Sequence, residues 1–252
     1  IAGCSALYHL TKLGWTDVVL IERDELTSGS TWHAAGNCPT FATSWNVVKY
    51  HRYSNQLYSR LAKDVDYPIN YHITGSVRLA HSKARMDEFK HIAGMARHQG
   101  LAFEVLSPAE VRERHPFTEL HDLEGGLWDP YDGDIDPSQA TQAFAKGARD
   151  AGAEIYRFTK VTGLEQQADD GWKVITDKGE IICEVVVNAG GYRGGEIGEM
   201  VGQYLPIVSM SHQYLMTEAI PELEARDAPI PLLRDPDDSY YLRQERGGLI
   251  LG

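Results

Sequence analysis

A loop of small residues with one tryptophan and one histidine side by side is the stretch best suited to chemistry. It runs TSGSTWHAAGN, from Thr27 to Asn37. Glycine, serine and alanine let a backbone approach a bound group closely, and imidazole exchanges protons near neutral pH. From these residues alone, a solvated loop histidine beside a helix N-terminus is the more common interpretation of His33. The alternative is that a flat, reactive group lies against the Trp32-His33 pair.

A second run of small residues follows the apolar stretch VVV. That stretch predicts a strand from Ile181 to Asn188, buried on both faces because it is continuously apolar. Ala189, Gly190 and Gly191 then lead into a predicted helix. A strand, a glycine turn and a helix in this order allow backbone to approach a cofactor at the start of the helix.

The elements that position these loops begin with half of a nucleotide-binding unit. Apolar residues at helical spacing predict a helix from the first residue, ended by Gly14. DVVLIERD then predicts a buried parallel strand from Val18 to Ile21. Gly3 corresponds to the last glycine of a GxGxxG motif, and Glu22 to the acid that accepts bonds from ribose about 20 residues later. An ordinary helix–strand pair explains these residues equally well, because the first glycines of the motif are not in the chain.

The rest of the chain alternates helices and strands before turning to β structure. Helices are predicted at 44–65, at KARMDEFKHIAGMARHQG, at SPAEVRERHP and from Pro137. Strands are predicted at TGSVRLAHS, 160–164, 172–176, YLPIVSMSHQYLMTE and SYYLRQERGGLILG. This alternation predicts a discontinuous nucleotide domain at 1–70 and 124–200, interleaved with a second, antiparallel α+β domain at 71–123 and 201–252.

The composition argues against several classes of protein, namely nucleic-acid-binding, disulfide-rich and membrane-spanning proteins. The 252 residues carry a net charge of −12, which argues against a nucleic-acid partner. Three widely spaced cysteines form no disulfide framework and fit a reducing compartment. No apolar run approaches the roughly 20 residues of a membrane span. The chain lacks an initiator methionine and opens on Ile1 inside a predicted helix, so we expect a fragment.

Several segments together resemble one family. ELTSGSTWHAAG resembles the flavin-attachment loop of the dimethylglycine and sarcosine dehydrogenases, which belong to the D-amino-acid-oxidase-like superfamily of FAD-dependent amine oxidoreductases. GSVRLA, DGDIDP, VVNAGG, SHQYL and SYYLRQERGGL are similar to further segments of that family, in the same order. The resemblance covers essentially the whole chain and implies a Rossmann-like FAD-binding domain interleaved with a substrate domain.

The resemblance implies a covalent FAD, attached through His33 to the 8α-methyl group of its ring. Glu22 and Arg23 match the acid–base pair after the second strand, with Glu22 on the adenosine ribose, and Val161 matches a position whose backbone meets adenine. Arg193 matches a cofactor-facing position that is tryptophan in some members, so a surface arginine is the favoured interpretation. The remaining residues implied in cofactor binding are Gly3, Gly29, Ser30, Thr31, Trp32, Ala34, Ala35, Gly36, Ala189, Gly190 and Gly191.

The implied activity is oxidative demethylation of an N-methyl amino acid such as dimethylglycine or sarcosine. A hydride passes to the flavin, and the one-carbon unit leaves as formaldehyde or passes to tetrahydrofolate in the full-length protein. His212, on a predicted strand, is implied to face the site. Tyr241 is a candidate for the substrate carboxylate or the pocket wall, with Tyr240 on the opposite face by the period-two rule. Arg243 shares the face of Tyr241 and is the candidate cation for the substrate carboxylate. A half-buried strand histidine, core aromatics and a solvated arginine are the structural alternatives.

Two further functions remain open: another flavin amine or amino-acid oxidase of the superfamily, and a non-catalytic flavoprotein subunit. The electron acceptor is expected to be an electron-transfer flavoprotein or oxygen, and the location cytoplasmic in a bacterium or the mitochondrial matrix in a eukaryote. No metal site is predicted. Solvated helix or strand faces explain the scattered histidines His51, His72, His81, His91 and His98 better than a metal does.

Overall fold

The computed structural model describes residues 1–252 and divides them into two compact units. Unit 1 comprises 1–34, 60–70 and 136–210, and unit 2 comprises 35–59, 71–135 and 211–252. Unit 2 therefore contains 35–59 and 124–135, which were predicted for the nucleotide domain. Unit 1 contains 201–210, which were predicted for the second domain.

Apart from α7 (Pro221–Glu224), the helices lie close to where local signals place them. In chain order they are α1 (Ala2–Lys12), α2 (Trp45–Asp64), α3 (Lys83–His98), α4 (Pro108–Arg114), α5 (Pro137–Asp150), α6 (Gly194–Glu199) and α7 (Pro221–Glu224), with a 3-10 turn at Gly191–Arg193. Ser107 and Glu110 form a reciprocal capping box at the start of α4. Gly14 and Gly100 follow α1 and α3 with φ of 92° and 71°, the left-handed conformation that glycine adopts freely.

The strands are short and fall into four sheets. In chain order they are β1 (Val19–Ile21), β2 (Asn37–Cys38), β3 (Tyr71–His72), β4 (Ser76–Ala80), β5 (Glu104–Leu106), β6 (Gly125–Asp129), β7 (Gly133–Ile135), β8 (Glu154–Tyr156), β9 (Val161–Gln166), β10 (Trp172–Thr176), β11 (Gly179–Cys183), β12 (Leu215–Met216), β13 (Leu232–Asp235), β14 (Tyr240–Glu245) and β15 (Gly248–Leu251).

Unit 1 is built around helices α1 and α5, a parallel pair of strands and a meander. Strand β1 pairs in parallel with β8, and β9, β10 and β11 form an antiparallel sheet. The rings of Tyr8 and Phe144 pack 5.4 Å apart between the two helices. A Cβ on Gly147 would lie 2.6 Å from Val65, so only glycine fits this close approach.

Two predictions of buried strands in unit 1 are wrong. Strand β1 is parallel as predicted, but Val19 is 37% exposed because β8 is its only partner strand in the chain. The predicted strand at 181–188 ends at Cys183, and Val185 and Val187 are more than 60% exposed. Residues 184–188 pair with no strand in this structure, so Val185 and Val187 stay exposed while Val186 is half-buried.

Unit 2 is built on a seven-stranded sheet in the order β12-β15-β14-β13-β4-β6-β5. The sheet is mixed rather than purely antiparallel, because β13 pairs in parallel with β4. The sequence signals predict no strand at β13. Strands β2, β7 and β3 form a small antiparallel sheet. One side of the large sheet packs apolar residues such as Val77 and Leu233, and the other packs Ala80 and Leu127 against α3.

Candidate functional site

The Trp32–His33 loop lies in unit 1 and leaves both rings open to solvent. Their centroids are 3.6 Å apart at an interplanar angle of 35°. Turns hold the loop, with the Ala34 N–H bonded to the Thr31 carbonyl at 3.2 Å. His33 therefore sits on an ordered loop whose imidazole a bound group can reach.

Gly36 and its neighbour Ala35 fall in unit 2 and are half-buried. Gly36 has a φ of 74°, and a Cβ there would lie 2.0 Å from the Ile135 carbonyl oxygen. Its own carbonyl accepts from the Ile135 N–H at 2.9 Å. Backbone packing alone therefore explains why this position holds glycine.

In the half of the nucleotide-binding unit that the chain contains, helix α1 packs closely on strand β1 at Gly3. A Cβ there would lie 3.3 Å from the Leu20 side chain and 3.4 Å from Ala189, so the helix approaches the strand closely. Glu22 follows β1, and its Oε1 accepts from the Asp24 N–H at 3.0 Å. The carboxylate keeps further lone pairs for donors such as hydroxyl groups. Arg23 is exposed and pairs with Asp24 at 3.0 Å.

The second glycine junction is held by Asn188. Its Oδ1 accepts from the Gly190 N–H at 3.1 Å, and its Nδ2 donates to the Gly194 carbonyl at 2.9 Å. Gly191 has a φ of 58°. Arg193 pairs with Glu196 at 2.8 Å, and its side chain is 39% exposed. Val161 is the half-buried first residue of β9.

The exposed glycines of unit 1 fit a large planar cofactor with phosphates. A Cβ on Gly29 would meet nothing closer than 3.8 Å, and one on Gly191 nothing within 4 Å. Ala34, Ala189 and Gly190 are exposed as well. The Trp32–His33 loop and the junction at Ala189–Gly191 therefore both expose backbone to which a cofactor can bind. Glu22 adds an acceptor for ribose hydroxyls.

In unit 2, strand β14 separates its side chains onto two faces as predicted. Tyr240 and Leu242 pack on the apolar cluster of the sheet, whereas Tyr241 stacks on His212, with centroids 6.4 Å apart and an interplanar angle of 22°. His212 does not lie on a strand, which corrects the prediction: β12 begins only at Leu215, and His212 is exposed. Only the two residues of β12 pair with β15, so the polypeptide before them is not part of the sheet.

Arg243 is neither solvated nor free. Its Nη1 lies 3.2 Å from Asp134 Oδ1 and its Nη2 lies 2.6 Å from Glu245 Oε2, with 14% of the side chain exposed. Asp134 also faces His72 Nδ1 at 3.2 Å. Two carboxylates of the chain thus already occupy the arginine that was predicted to bind the substrate carboxylate.

Sequence reasoning missed a buried polar cluster next to these strands. Asp132 is fully buried and accepts from the Thr40 N–H at 2.5 Å, the Ser76 hydroxyl at 2.6 Å and Arg78 Nη2 at 3.3 Å. Asp129 is also fully buried. Burial, and then the Asp132 charge, raise the pKa of Asp129 to about 9. A proton on Asp129 lets its otherwise unpartnered Oδ2 donate to Asp132. The closely spaced acids of the segment DPYDGD are the one feature of the sequence that could have indicated this cluster.

His81 is also not a solvated strand histidine. Its Nε2 lies 2.7 Å from Asp235 Oδ2, and Asp235 is almost fully buried. Although partial burial opposes it, the hydrogen bond to Asp235 and the nearby Asp122 raise the pKa of His81. Asp238 comes within 4.8 Å of both groups. Asp235 Oδ1 accepts from the Asp237 and Asp238 N–H groups at 3.0 Å. These hydrogen bonds of the β13–β14 hairpin explain why Asp235 and Asp238 lie close together near His81.

None of the helices combines the length and the apolar composition that crossing a bilayer requires.

Comparison with known proteins gives one consistent family. The profile described as "FAD dependent oxidoreductase" matches residues 1–252. Mitochondrial dimethylglycine dehydrogenase of Mus musculus is 41% identical over 99% of this chain and 29% of its own length. Mitochondrial sarcosine dehydrogenase of Homo sapiens is 35% identical over 99% of this chain and 28% of its own. The chain therefore spans less than a third of these relatives.

Two further matches bear on function and fold. The mitochondrial pyruvate dehydrogenase phosphatase regulatory subunit of Mus musculus is 34% identical over the whole chain and 29% of its own length. The crystal structure of L-proline dehydrogenase from P. horikoshii superposes with a TM-score of 0.86 at 25% identity, covering 99% of this chain and 66% of that one. The predicted α/β fold of the D-amino-acid-oxidase type is confirmed.

Proposed function

The chain belongs to the FAD-dependent oxidoreductase family, and from that premise we propose that it serves the oxidative demethylation of a small N-methyl amino acid such as dimethylglycine or sarcosine. The observation that carries the proposal is the 41% identity to a dimethylglycine dehydrogenase over nearly the whole chain. FAD, when bound, supplies the hydride acceptor.

Unit 1 holds the residues assigned to the cofactor. The family resemblance assigns the covalent attachment to His33, whose imidazole is exposed on an ordered loop beside Trp32. Glu22 accepts from the ribose hydroxyls. The uncovered backbone at Gly29–Ala34 and at Ala189–Gly191 lies against the flat and charged parts of the group, with Val161 on the adenine. Ala35 and Gly36, which continue the loop, belong to unit 2.

Unit 2 holds the residues assigned to the substrate. The Tyr241 ring, stacked on His212, forms a wall for the substrate. Oxidation needs the lone pair of the amine, so the ammonium must first lose its proton. His212 is exposed and is the assigned acceptor of that proton. The one-carbon unit leaves as formaldehyde or passes to tetrahydrofolate, and the electrons pass to an electron-transfer flavoprotein or oxygen. The proposed location is cytoplasmic in a bacterium or the mitochondrial matrix in a eukaryote.

A non-catalytic role is the second candidate, because a relative named as a regulatory subunit is 34% identical to this chain. One experiment separates the two candidates. Dimethylglycine added without oxygen should bleach the flavin absorbance of the full-length protein. Glycine should leave the flavin absorbance unchanged, because it has no N-methyl carbon from which a hydride could leave.

Absence of bleaching by any N-methyl amino acid would favour the regulatory candidate. Equal bleaching by glycine would instead indicate an amino-acid oxidase of the same superfamily.

A further inference from the structure

Three arginines share the sheet face that carries Tyr241. Arg78 lies on β4, Arg234 on β13 and Arg243 on β14. Arg234 is in register with Arg78 on one side and with Tyr241 on the other. Because directly opposite residues point to the same face of a sheet, the Arg234 side chain lies between the other two.

Two of the three arginines already have carboxylate partners. Arg78 Nη2 lies 3.3 Å from Asp132, and its guanidinium stacks 4.1 Å from the Phe41 ring centre. Arg243 is held by Asp134 and Glu245. The partners of both arginines come from within unit 2, so these two side chains are part of its internal structure.

Arg234 has no ion pair and no hydrogen-bond acceptor for two of its nitrogens. Its Nε and Nη2 are buried without a partner, although the residue as a whole keeps some exposed surface. Burying charged N–H groups without an acceptor is unfavourable. The remaining carboxyl of the polar cluster, Asp129, is neutral at pH 7 because burial raises its pKa to about 9. Arg78 Nε and Arg243 Nε are buried without a partner as well, but Arg234 is the one arginine of the three without an ion pair.

We propose that Arg234, rather than Arg243, receives the carboxylate of the substrate. A guanidinium donates two parallel N–H groups to the two oxygens of a carboxylate, which is the acceptor that Arg234 lacks. Tyr241, directly across the strand pair, flanks the same ligand. The identity of the ligand as an amino acid rests on the proposed function, whereas the preference of Arg234 for a carboxylate rests on the strand register and the missing partner.

The test compares two ligands on full-length protein carrying its flavin. Methoxyacetate is a carboxylate without an oxidisable amine, and methoxyacetamide is its uncharged counterpart. By titration calorimetry, Arg234→Gln should weaken methoxyacetate binding about 10- to 100-fold, the range of a hydrogen bond to a charged group, and should leave methoxyacetamide binding unchanged. Arg234→Lys, which keeps the charge but loses the planar fork, should give an intermediate Kd.

Arg246→Gln is the matched control, because Arg246 is exposed on the next hairpin and undergoes the same change of charge. It should bind both ligands as the wild type does. Equal methoxyacetate affinities in wild type and Arg234→Gln overturn the proposal, as does an equal loss for both ligands, which indicates a structural role. The proposal is also overturned if the wild type binds methoxyacetate and methoxyacetamide with equal affinity.

The bleaching experiment with dimethylglycine keeps the two proposals apart. Bleaching together with an unchanged Kd in Arg234→Gln refutes the assignment of Arg234 alone. A wild type that oxidises no N-methyl amino acid refutes the proposed function, and the calorimetry still decides on Arg234.

Discussion

Replacing His33 with alanine should lower the acid-stable flavin of the full-length protein from one per chain to none. The imidazole is the attachment point that the family resemblance assigns, and it is exposed on an ordered loop with its ring centre 3.6 Å from that of Trp32. Precipitation with acid separates covalent from dissociable flavin. The wild-type pellet should be yellow, and the His33→Ala pellet colourless with its flavin in the supernatant.

His98→Ala is the matched control, because His98 is an exposed histidine at the end of α3. Its pellet should stay as yellow as the wild-type pellet. A yellow pellet from His33→Ala would mean that the flavin is attached at another residue, and the cofactor assignment of this loop would be wrong.

Asp129→Asn should change how the free energy of unfolding depends on pH. Below pH 4 Asp129 is protonated in both the folded and the unfolded state. Its contribution to the free energy of unfolding is therefore at its maximum there and does not change with pH. Between pH 4 and about 9 the folded state keeps a proton that the unfolded chain has released, because burial raises the folded-state pKa to about 9. The wild type should therefore lose up to roughly 1.4 kcal/mol of stability for each pH unit in this window relative to Asp129→Asn.

Urea unfolding of the full-length protein at pH 5, 7 and 9 measures this difference. Asparagine has the shape of the protonated acid and can still donate to Asp132, so the variant should gain on the wild type as the pH rises. Asp227→Asn changes an exposed carboxylate and should leave the pH dependence unaltered. A difference between Asp129→Asn and wild type that is constant from pH 5 to 9 would contradict a buried, protonated Asp129.

Features set by neighbours in the sequence could be predicted. The capping box of Ser107 and Glu110 lies within one turn of helix, and the left-handed Gly100 lies two residues after the end of its helix. The alternation of Tyr240 and Tyr241 across β14 follows from the period of two along any strand.

Features set by distant partners could not be predicted. Asp134 and Arg243 are 109 positions apart, and Asp132 and Thr40 are 92 apart, so nothing local reveals either contact. The apolar run at Val185–Val187 has strand propensity, but a strand also needs a neighbour to accept its backbone hydrogen bonds. Strand β13 was missed because its four residues gain their pairing from β4, which lies far away in the sequence.

The most direct test of the central claim is the mass of one tryptic peptide from the full-length protein. Cleavage after Arg23 and Lys49 releases Asp24–Lys49, which contains Trp32 and His33. The account predicts that this peptide carries the added mass of a flavin and that fragmentation locates the addition on His33. An unmodified peptide recovered in full yield, or a flavin located on another peptide, would contradict it.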